Sequence, residues 1–231
     1  MSEAQSGRLP AIVTGGGSGL GAAIARQLAQ RGDPVVVLDL RPASVGESIE
    51  VDLADGVRAE EAVRAVAEKY GGLSALVTAA GVDVCGPLAG VPSADWERVV
   101  RVNLFGTAAT VRAALPWLER SHGRIVTVAS TLGLRGMSDA TAYCASKFGV
   151  VGFTRALAAE LAGRVGVTLL IPGGMKTHFF DGRDPRYAPG PDASLCDPED
   201  VAAAALFALD RPAGCEVREL LVCPSRESSW P

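Results

Sequence analysis

The chain has 231 residues, a length that suits one large domain or two small ones. Hydrophobic residues make up 48% and charged residues 21% of it, which is typical of a globular protein with a sizeable core. The formal net charge of −4 argues against the basic surface with which proteins bind nucleic acid or an anionic membrane.

The sequence shows no targeting, membrane or metal-binding pattern. Its first eight residues are polar and lack the apolar segment of a secretory signal peptide, and no run of about eighteen apolar residues predicts a membrane span. The five cysteines are scattered without CxxC spacing, so we expect reduced thiols rather than a zinc site or disulfides. We therefore predict a cytoplasmic protein without bound metal, with a flexible tail over residues 1–8 and a single domain over residues 9–231.

Short apolar segments alternate with helical segments along the whole chain. Strands are predicted over residues 9–14, 34–38, 48–51, 73–78, 124–129, 166–171 and 217–223. Helices are predicted up to about residue 30, over residues 57–70, 93–120 and 198–209, and through Tyr143 and Lys147 to about residue 162. Continuous apolar strands are typical of a parallel sheet that is covered on both faces. The sequence therefore predicts one doubly wound, Rossmann-like α/β sheet with helices on both faces.

A glycine-rich turn, Gly15-Gly-Gly-Ser-Gly-Leu-Gly21, follows the first strand and opens the first helix. Such a turn lets the backbone approach a pyrophosphate, whose charge the helix N-terminus attracts, although a tight turn needs glycine for geometry alone. Asp39 ends the second strand, where a carboxylate accepts hydrogen bonds from an adenosine ribose and repels a 2′-phosphate. The pattern favours NAD over NADP, while Arg41 is placed to neutralise part of such a phosphate.

Tyr143 and Lys147 lie four residues apart at the start of a predicted helix, so they share one face. An ammonium beside a phenol favours the phenolate and lowers the phenol pKa, which makes the pair a candidate acid/base device. A tyrosine and a lysine at this spacing also occur on ordinary helices. In an open parallel sheet, however, ligands bind outside the carboxyl ends of the strands. Several segments of the chain fall there: Asp39, Asp52, Ala79–Gly81, Ser130 and Pro172–Gly173.

The motifs together resemble those of the short-chain dehydrogenases/reductases. Thr14–Gly21 is similar to the family's TGxxxGxG, and Ser130, Tyr143 and Lys147 fit its Ser-(x12)-Tyr-xxx-Lys pattern. Pro172–Thr177 is similar to its PGxxxT. Asp52-Leu53 resembles its adenine-contacting pair, and Asn103 falls where the family has a helix asparagine. The resemblance extends from about residue 10 to residue 210.

The resemblance implies a role for each of these residues. Tyr143 would be the general acid or base, Lys147 would lower the Tyr143 pKa and bind the nicotinamide ribose, and Ser130 would bond the substrate oxygen. Asn103 would hold a water behind Lys147 and relay protons. NAD would contact Gly15, Gly17, Ser18, Gly19, Leu20, Gly21, Asp39, Asp52, Leu53, Ala79, Ala80, Gly81, Tyr143, Lys147, Pro172, Gly173, Met175 and Thr177. Ser130, Leu132, Met137, His178 and Phe179 would line the substrate pocket.

The implied function is that of an NAD-dependent alcohol dehydrogenase or ketoreductase, with hydroxyacyl and hydroxysteroid substrates among its classes. Two alternatives are a catalytically silent nucleotide-sensing scaffold and a nucleotide-sugar epimerase. Two departures from the family pattern bear on this interpretation. Thr78-Ala79-Ala80-Gly81 replaces Asn-Asn-Ala-Gly, and Leu-Val-Cys-Pro-Ser replaces Val-Asp-Gly-Gly near the C-terminus.

A stripe of Cys144, Phe148, Val151 and Arg155 lies about 100° from the Tyr143 face of the same helix. The resemblance implies that this stripe packs between subunits of a homodimer or homotetramer. Packing against the preceding helix of the same chain is the alternative.

Overall fold

Seven parallel strands form one sheet in the computed structural model, which describes residues 7–227. The strands are β1 (Ala11–Thr14), β2 (Val35–Asp39), β3 (Glu47–Glu50), β4 (Ala75–Thr78), β5 (Arg124–Val128), β6 (Gly166–Pro172) and β7 (Glu219–Val222). Their order is β3-β2-β1-β4-β5-β6-β7. The first three strands are added toward one edge of the sheet and the last four toward the other, so the strand order changes direction between β1 and β4. This arrangement confirms the predicted doubly wound α/β fold. The predicted N-terminal tail lies largely outside the described residues.

Six α-helices connect the strands and cover both faces of the sheet. They are α1 (Gly19–Gln30), α2 (Gly56–Tyr70), α3 (Ser93–Val100), α4 (Thr107–Ser121), α5 (Thr141–Glu160) and α6 (Pro198–Leu209). Local signals set their ends. The Asp55 and Asp197 side chains cap α2 and α6 by accepting hydrogen bonds from backbone N–H groups, and Gly71 ends α2 at φ 74°.

Neighbouring residues of each central strand face opposite layers, so nearly every strand position is apolar. Ile12 and Leu76 pack with α2 and α4 on one face, whereas Val13 and Val77 pack with α1 and α6 on the other. Burial on both faces explains the continuous valine, isoleucine and leucine runs from which the strands were predicted.

The predicted helix over residues 93–120 is present but is not continuous. A π-helical segment, Arg101–Gly106, separates α3 from α4. Within it, the carbonyl oxygens of Asn103 and Gly106 each accept a hydrogen bond from a threonine hydroxyl, those of Thr107 and Thr110. Hydrophobic periodicity does not distinguish a π turn from an α turn, which is why the sequence predicted one helix.

Among residues 7–227, no helix is long and apolar enough to cross a membrane. The same part of the chain holds no group of three or more His, Cys, Asp or Glu side chains that could bind a metal ion.

Candidate active site

A cavity of about 980 Å³ opens at the carboxyl edge of the sheet. It is bounded by segments that follow all seven strands, as expected for ligand sites of open parallel sheets. Every residue predicted for the site lines this cavity except Gly17 and Asn103. Gly17 lies within the glycine turn, where its N–H donates to Asp39 Oδ2, and Asn103 lies in the π-helical segment, where it is 1% exposed.

The glycine turn is packed against neighbouring backbone. Gly15 has φ 70°, and a Cβ there would lie 2.5 Å from the Ala80 Cα. A Cβ on Gly21 would overlap the Gly15 carbonyl group, because the first turn of α1 closes directly over the turn. The glycines therefore allow a close approach of loop, helix and the Ala79–Gly81 segment that larger residues would prevent.

The Asp39 carboxylate is fixed by two backbone groups at the rim of the turn. Its Oδ2 accepts a hydrogen bond from the Gly17 N–H and its Oδ1 accepts one from the Arg41 N–H, both at 2.9 Å. The Arg41 guanidinium extends over the turn and donates to Ser18 Oγ at 3.1 Å. The Asp39 carboxylate and the Arg41 guanidinium, which carry opposite charges, thus lie side by side at the same end of the cavity.

Asp52 and Leu53 follow β3 on the adjacent side of the cavity. Asp52 forms an ion pair with Arg98 of α3 at 3.0 Å and accepts a hydrogen bond from the Ala54 N–H at 2.9 Å. Burial opposes its charge, but these partners outweigh that effect, so the pKa of Asp52 lies below its ordinary value. The carboxylate is therefore ionised at neutral pH.

The Ser130 and Tyr143 hydroxyls are hydrogen-bonded to each other inside the cavity. Ser130 follows β5, where its Oγ also accepts a bond from the Leu132 N–H at 3.1 Å. The Tyr143 ring is partly exposed, but protein surrounds its hydroxyl. Burial raises the pKa of Tyr143, and the bond from Ser130 opposes that rise. The phenol is therefore protonated at neutral pH.

Lys147 is 4% exposed, one helical turn beyond Tyr143. Its Nζ donates to the Val128 carbonyl at 2.9 Å and lies 5.7 Å from the centre of the Tyr143 ring. Burial lowers the pKa of Lys147 to about 8. The amine is still mostly protonated near pH 7, and it faces Gly81 on the cavity wall. The lowering of the Tyr143 pKa by Lys147 stays a prediction, because burial dominates and raises the pKa of this phenol.

The Asn103 amide ties three elements together. Its Oδ1 accepts from the Val82 N–H at 2.8 Å, and its Nδ2 donates to the Val82 carbonyl and to Ser146 Oγ, both at 2.9 Å. Ser146 lies on α5 between Tyr143 and Lys147. Asn103 therefore fixes the segment after β4 relative to the helix that carries both side chains. Its proton-relay role stays a prediction.

The segment Thr78–Gly81, which departs from the family pattern, is held by other groups. Thr14 Oγ1 accepts a hydrogen bond from the Ala80 N–H at 3.3 Å, and Asn103 binds the next residue, Val82. The buried Thr78 Oγ1 has no hydrogen-bond partner among residues 7–227. Hydrogen bonds from the Ala80 and Val82 N–H groups to the Thr14 and Asn103 side chains thus replace only some of the hydrogen bonds that two asparagine side chains could form.

The predicted pocket residues line the same cavity as Tyr143. Phe179 packs against Tyr143 with ring centres 5.6 Å apart, and Met137 is 48% exposed at the rim. Leu132 follows Ser130 in a short 3₁₀ turn. The His178 side chain is 77% exposed and pairs with Asp181 at 2.8 Å.

Comparison with known proteins identifies the family. The sequence model of the short chain dehydrogenase family matches residues 10–187, most of the chain. This protein belongs to the short-chain dehydrogenase family.

Individual members match the chain over nearly their whole length. An uncharacterized oxidoreductase of Staphylococcus saprophyticus is 35% identical, with 93% of this chain and 96% of the relative covered. A subunit of (2S)-[(R)-hydroxy(phenyl)methyl]succinyl-CoA dehydrogenase from Thauera aromatica is 34% identical, with 94% and 95% covered. The ligand-free structure of aldohexose dehydrogenase from Thermoplasma acidophilum has a TM-score of 0.83 and 26% identity, with 94% and 92% covered. The protein is thus an oxidoreductase of the short-chain dehydrogenase family.

The sequence did not indicate three further groups of cavity residues. Asp83 and Arg183 form a buried ion pair at 3.0 Å, with Cys85 beside them. Tyr187 lies near Asp139. At the other end of the cavity, Glu227 Oε2 accepts a hydrogen bond from the Gly174 N–H at 2.9 Å, so the C-terminal segment contacts the turn after β6. Only Asp83 had a usable signal, because it lies two residues after the predicted segment Ala79–Gly81, which follows β4.

Because Lys147 is buried, it should make the free energy of unfolding of this short-chain dehydrogenase rise with pH. The Lys147→Met substitution should abolish this contribution. The pKa of Lys147 falls from 10.5 to about 8 on folding, so the unfolded chain binds the proton more tightly. At about pH 7 this costs about 3 kcal/mol of unfolding free energy. The cost disappears as the pH rises from about 8 to 10.5. Relative to Lys147→Met, the wild type should therefore gain about 3 kcal/mol over this range in urea unfolding.

The matched control is Lys176→Met, since Lys176 is exposed and does not line the cavity. Its unfolding free energy should run parallel to that of the wild type at every pH. A constant difference between wild type and Lys147→Met from pH 7 to pH 10 would contradict the prediction.

Proposed function

We propose that the protein transfers a hydride between NAD(H) and a secondary alcohol or ketone. The observation that carries the proposal is the hydrogen-bonded pair of Ser130 and Tyr143 hydroxyls, with the Lys147 amine one turn away in the same cavity. The supporting context is the family membership and the glycine turn with Asp39 at the opposite end of the cavity.

The residues present fit a nicotinamide dinucleotide. The glycine turn forms a cradle that a Cβ on Gly15 or Gly21 would fill, and it leads into the N-terminus of α1, which favours a pyrophosphate. Asp39 would bond the adenosine ribose, and Asp52 with Leu53 would flank the adenine. Ala79–Gly81, Pro172–Gly173, Met175 and Thr177 would hold the nicotinamide half. When bound, the dinucleotide supplies or accepts the hydride.

In carbonyl reduction, Tyr143 donates its phenolic proton to the substrate oxygen. The raised pKa of Tyr143 keeps that proton in place at neutral pH. Ser130 donates a hydrogen bond to the same oxygen and stabilises the charge that develops on it. The Lys147 ammonium, whose pKa is about 8, stabilises the phenolate that remains after transfer. In alcohol oxidation the proton moves in the opposite direction, so low pH should favour reduction.

The substrate class follows from the proton chemistry and from the relatives. Tyr143 and Ser130 suit a substrate whose reacting atom is a hydroxyl or carbonyl oxygen, because such an oxygen can accept a hydrogen bond from both hydroxyls. The Thauera aromatica relative is named for a hydroxyl-bearing succinyl-CoA and the Thermoplasma acidophilum structure for an aldohexose, and both are dehydrogenases. These names support an alcohol or its ketone as the substrate here.

The proposal includes a single catalytic domain from residue 9 onward and an association of two or four copies. Phe148 on α5 and Phe105 in the π-helical segment are 46% and 56% exposed, whereas Val151 of the predicted stripe is buried within the chain itself. These exposed phenylalanines, on α5 and on the π-helical segment that contacts α5, support a subunit contact that involves α5.

The test is turnover of NADH and NAD⁺ with a panel of carbonyl and alcohol pairs. The panel contains 3-hydroxyacyl thioesters, hydroxysteroids, small hydroxy acids and simple secondary alcohols, each followed through the absorbance of NADH. We expect turnover with at least one class, with reduction favoured at low pH. The complete absence of NADH-dependent turnover across the panel would contradict the proposal.

A further inference from the structure

A buried ion pair lies on the substrate side of the cavity. Arg183 Nη2 lies 3.0 Å from Asp83 Oδ2, and only 15% and 5% of the two side chains are exposed. Both residues line the cavity. Charges are rarely buried in this way unless they are paired, and replacing such a pair by apolar residues often costs no stability. The pair therefore invites a functional explanation.

Neighbouring side chains hold the pair in place. The Arg183 guanidinium lies over the rings of Phe179 and Phe180, 4.7 and 4.8 Å from their centres. The Cys85 thiol donates to Asp83 Oδ2 at 3.3 Å and accepts from Arg183 Nη1 at 3.5 Å. Burial, reinforced by Asp83, raises the pKa of Cys85 to about 11, so the thiol keeps its proton. The guanidinium and one carboxylate oxygen are thus fixed before any substrate arrives.

Two polar atoms of the pair make no hydrogen bond with residues 7–227. One is the buried acceptor Asp83 Oδ1, and the other is the buried donor nitrogen Arg183 Nη2. Nη2 is close enough to Oδ2 for ionic attraction, but its N–H bonds do not point at that oxygen. Leaving a buried donor or acceptor without a hydrogen bond costs about 1–3 kcal/mol of stability. Both atoms therefore favour a ligand that supplies the missing hydrogen bonds.

The pair lies close to the reacting groups. Phe179, which lies under the Arg183 guanidinium, packs against the Tyr143 ring at 5.6 Å. The charges of Asp83 and Arg183 both act on the Tyr143 hydroxyl. Tyr143, Asp83 and Arg183 line one cavity, so the pair is within reach of a substituent on a substrate whose oxygen meets Tyr143.

We propose that Asp83 and Arg183 select an uncharged substrate that carries a second hydroxyl group, which donates to Asp83 Oδ1 and accepts from Arg183 Nη2. This inference rests on the proposed function, because it places the reacting oxygen at Tyr143. A hydroxyl is both donor and acceptor, so one group satisfies both unpaired atoms. A carboxylate would be repelled by Asp83 and an ammonium by Arg183, since each would face the like-charged member of the pair.

The test compares ring compounds that differ in one substituent. Binding of cyclohexanol, the cyclohexanediols, 3-hydroxycyclohexanecarboxylate and 3-aminocyclohexanol to the full chain is measured by ligand-observed NMR, with and without NADH. At least one diol should bind about tenfold more tightly than cyclohexanol, the gain expected for hydrogen bonds to charged groups. Equal binding of cyclohexanol and every diol, or tightest binding of the carboxylate or the amine, would overturn the proposal.

Variants test whether the ion pair is responsible. The double variant Asp83→Leu/Arg183→Met replaces both charges, which avoids the uncompensated buried charge that a single substitution would leave and that could prevent folding. It should lose the diol preference and retain cyclohexanol binding within about twofold. The matched control is Arg112→Met/Glu60→Leu, which removes an exposed ion pair at 2.8 Å outside the cavity and should keep the preference. A diol preference that survives in Asp83→Leu/Arg183→Met would overturn the assignment.

The two proposals fail in different experiments. Binding in the absence of turnover tests the hydroxyl selection, whereas NADH-dependent turnover tests the hydride-transfer function. Diol-selective binding without turnover would remove the proposed function alone, and turnover without diol selectivity would remove this inference alone.

Discussion

Tyr143→Phe should lower turnover with any accepted substrate by about 10²- to 10⁴-fold, the usual contribution of a positioned general acid or base. The substitution removes the phenolic proton and the partner of the Ser130 hydroxyl. It leaves the ring in place against Phe179. Because the glycine turn and Asp39 are distant from this hydroxyl, NADH affinity should change by less than about threefold. Steady-state turnover and a fluorescence titration with NADH provide the two measurements.

The control for this prediction is Tyr70→Phe. Tyr70 also donates its hydroxyl, to Glu47 at 2.8 Å, but it lies on α2 outside the cavity. Its replacement should leave turnover unchanged. Undiminished turnover in Tyr143→Phe would eliminate the proposed proton transfer, whereas equal losses in both variants would point to a general effect on folding.

Asp39→Ala should reverse the nucleotide preference. Removing the carboxylate removes the proposed acceptor for the adenosine ribose, so the dissociation constant for NADH should rise about 10- to 100-fold. It also removes the charge that repels a 2′-phosphate. The Arg41 guanidinium, which lies over Ser18, then becomes the nearest charge, so NADPH should bind more tightly than NADH. Titration of each nucleotide gives the affinities independently of turnover.

Two further variants separate the causes. Asp39→Asn removes the charge but keeps the size and an acceptor for one of the two N–H groups now bound by Asp39, so it should gain NADPH affinity without the full loss for NADH. Arg41→Ala in the Asp39→Ala background should abolish the NADPH gain. Equal loss of both nucleotides in Asp39→Ala would contradict the coenzyme argument.

The fold and much of the cavity wall were predictable because both depend on position along the chain. Parallel strands end at one edge of the sheet, so residues that follow strands in sequence, such as Asp39, Asp52 and Ser130, meet in space. Glycine spacing similarly predicts the close packing at Gly15, which depends on backbone geometry alone. These inferences require no knowledge of where a side chain points.

The remaining features depend on the direction of long side chains and on backbone detail. Arg183 comes from a loop whose sequence gives no periodicity, and only its contacts with Phe179 and Phe180 direct it toward Asp83. The three hydrogen bonds of Asn103 depend on the π-helical segment, which no apolar pattern marks. Sequence reasoning predicted that Asn103 belongs to the site but not what its amide holds.

The π-helical segment lets the nearly continuous helix formed by α3 and α4 pack against two different helices. Before it, α3 packs against α5, and after it, α4 packs against α2 on the same side of the sheet. The wider turn changes which face of the helix points toward the sheet, so α3 and α4 each pack against their own partner without a loop between them. Asn103 lies in this turn and bonds both Val82 and Ser146 of α5. Through Asn103, the π-helical segment thus fixes the distance between the cavity wall at Val82 and the helix that carries Tyr143 and Lys147.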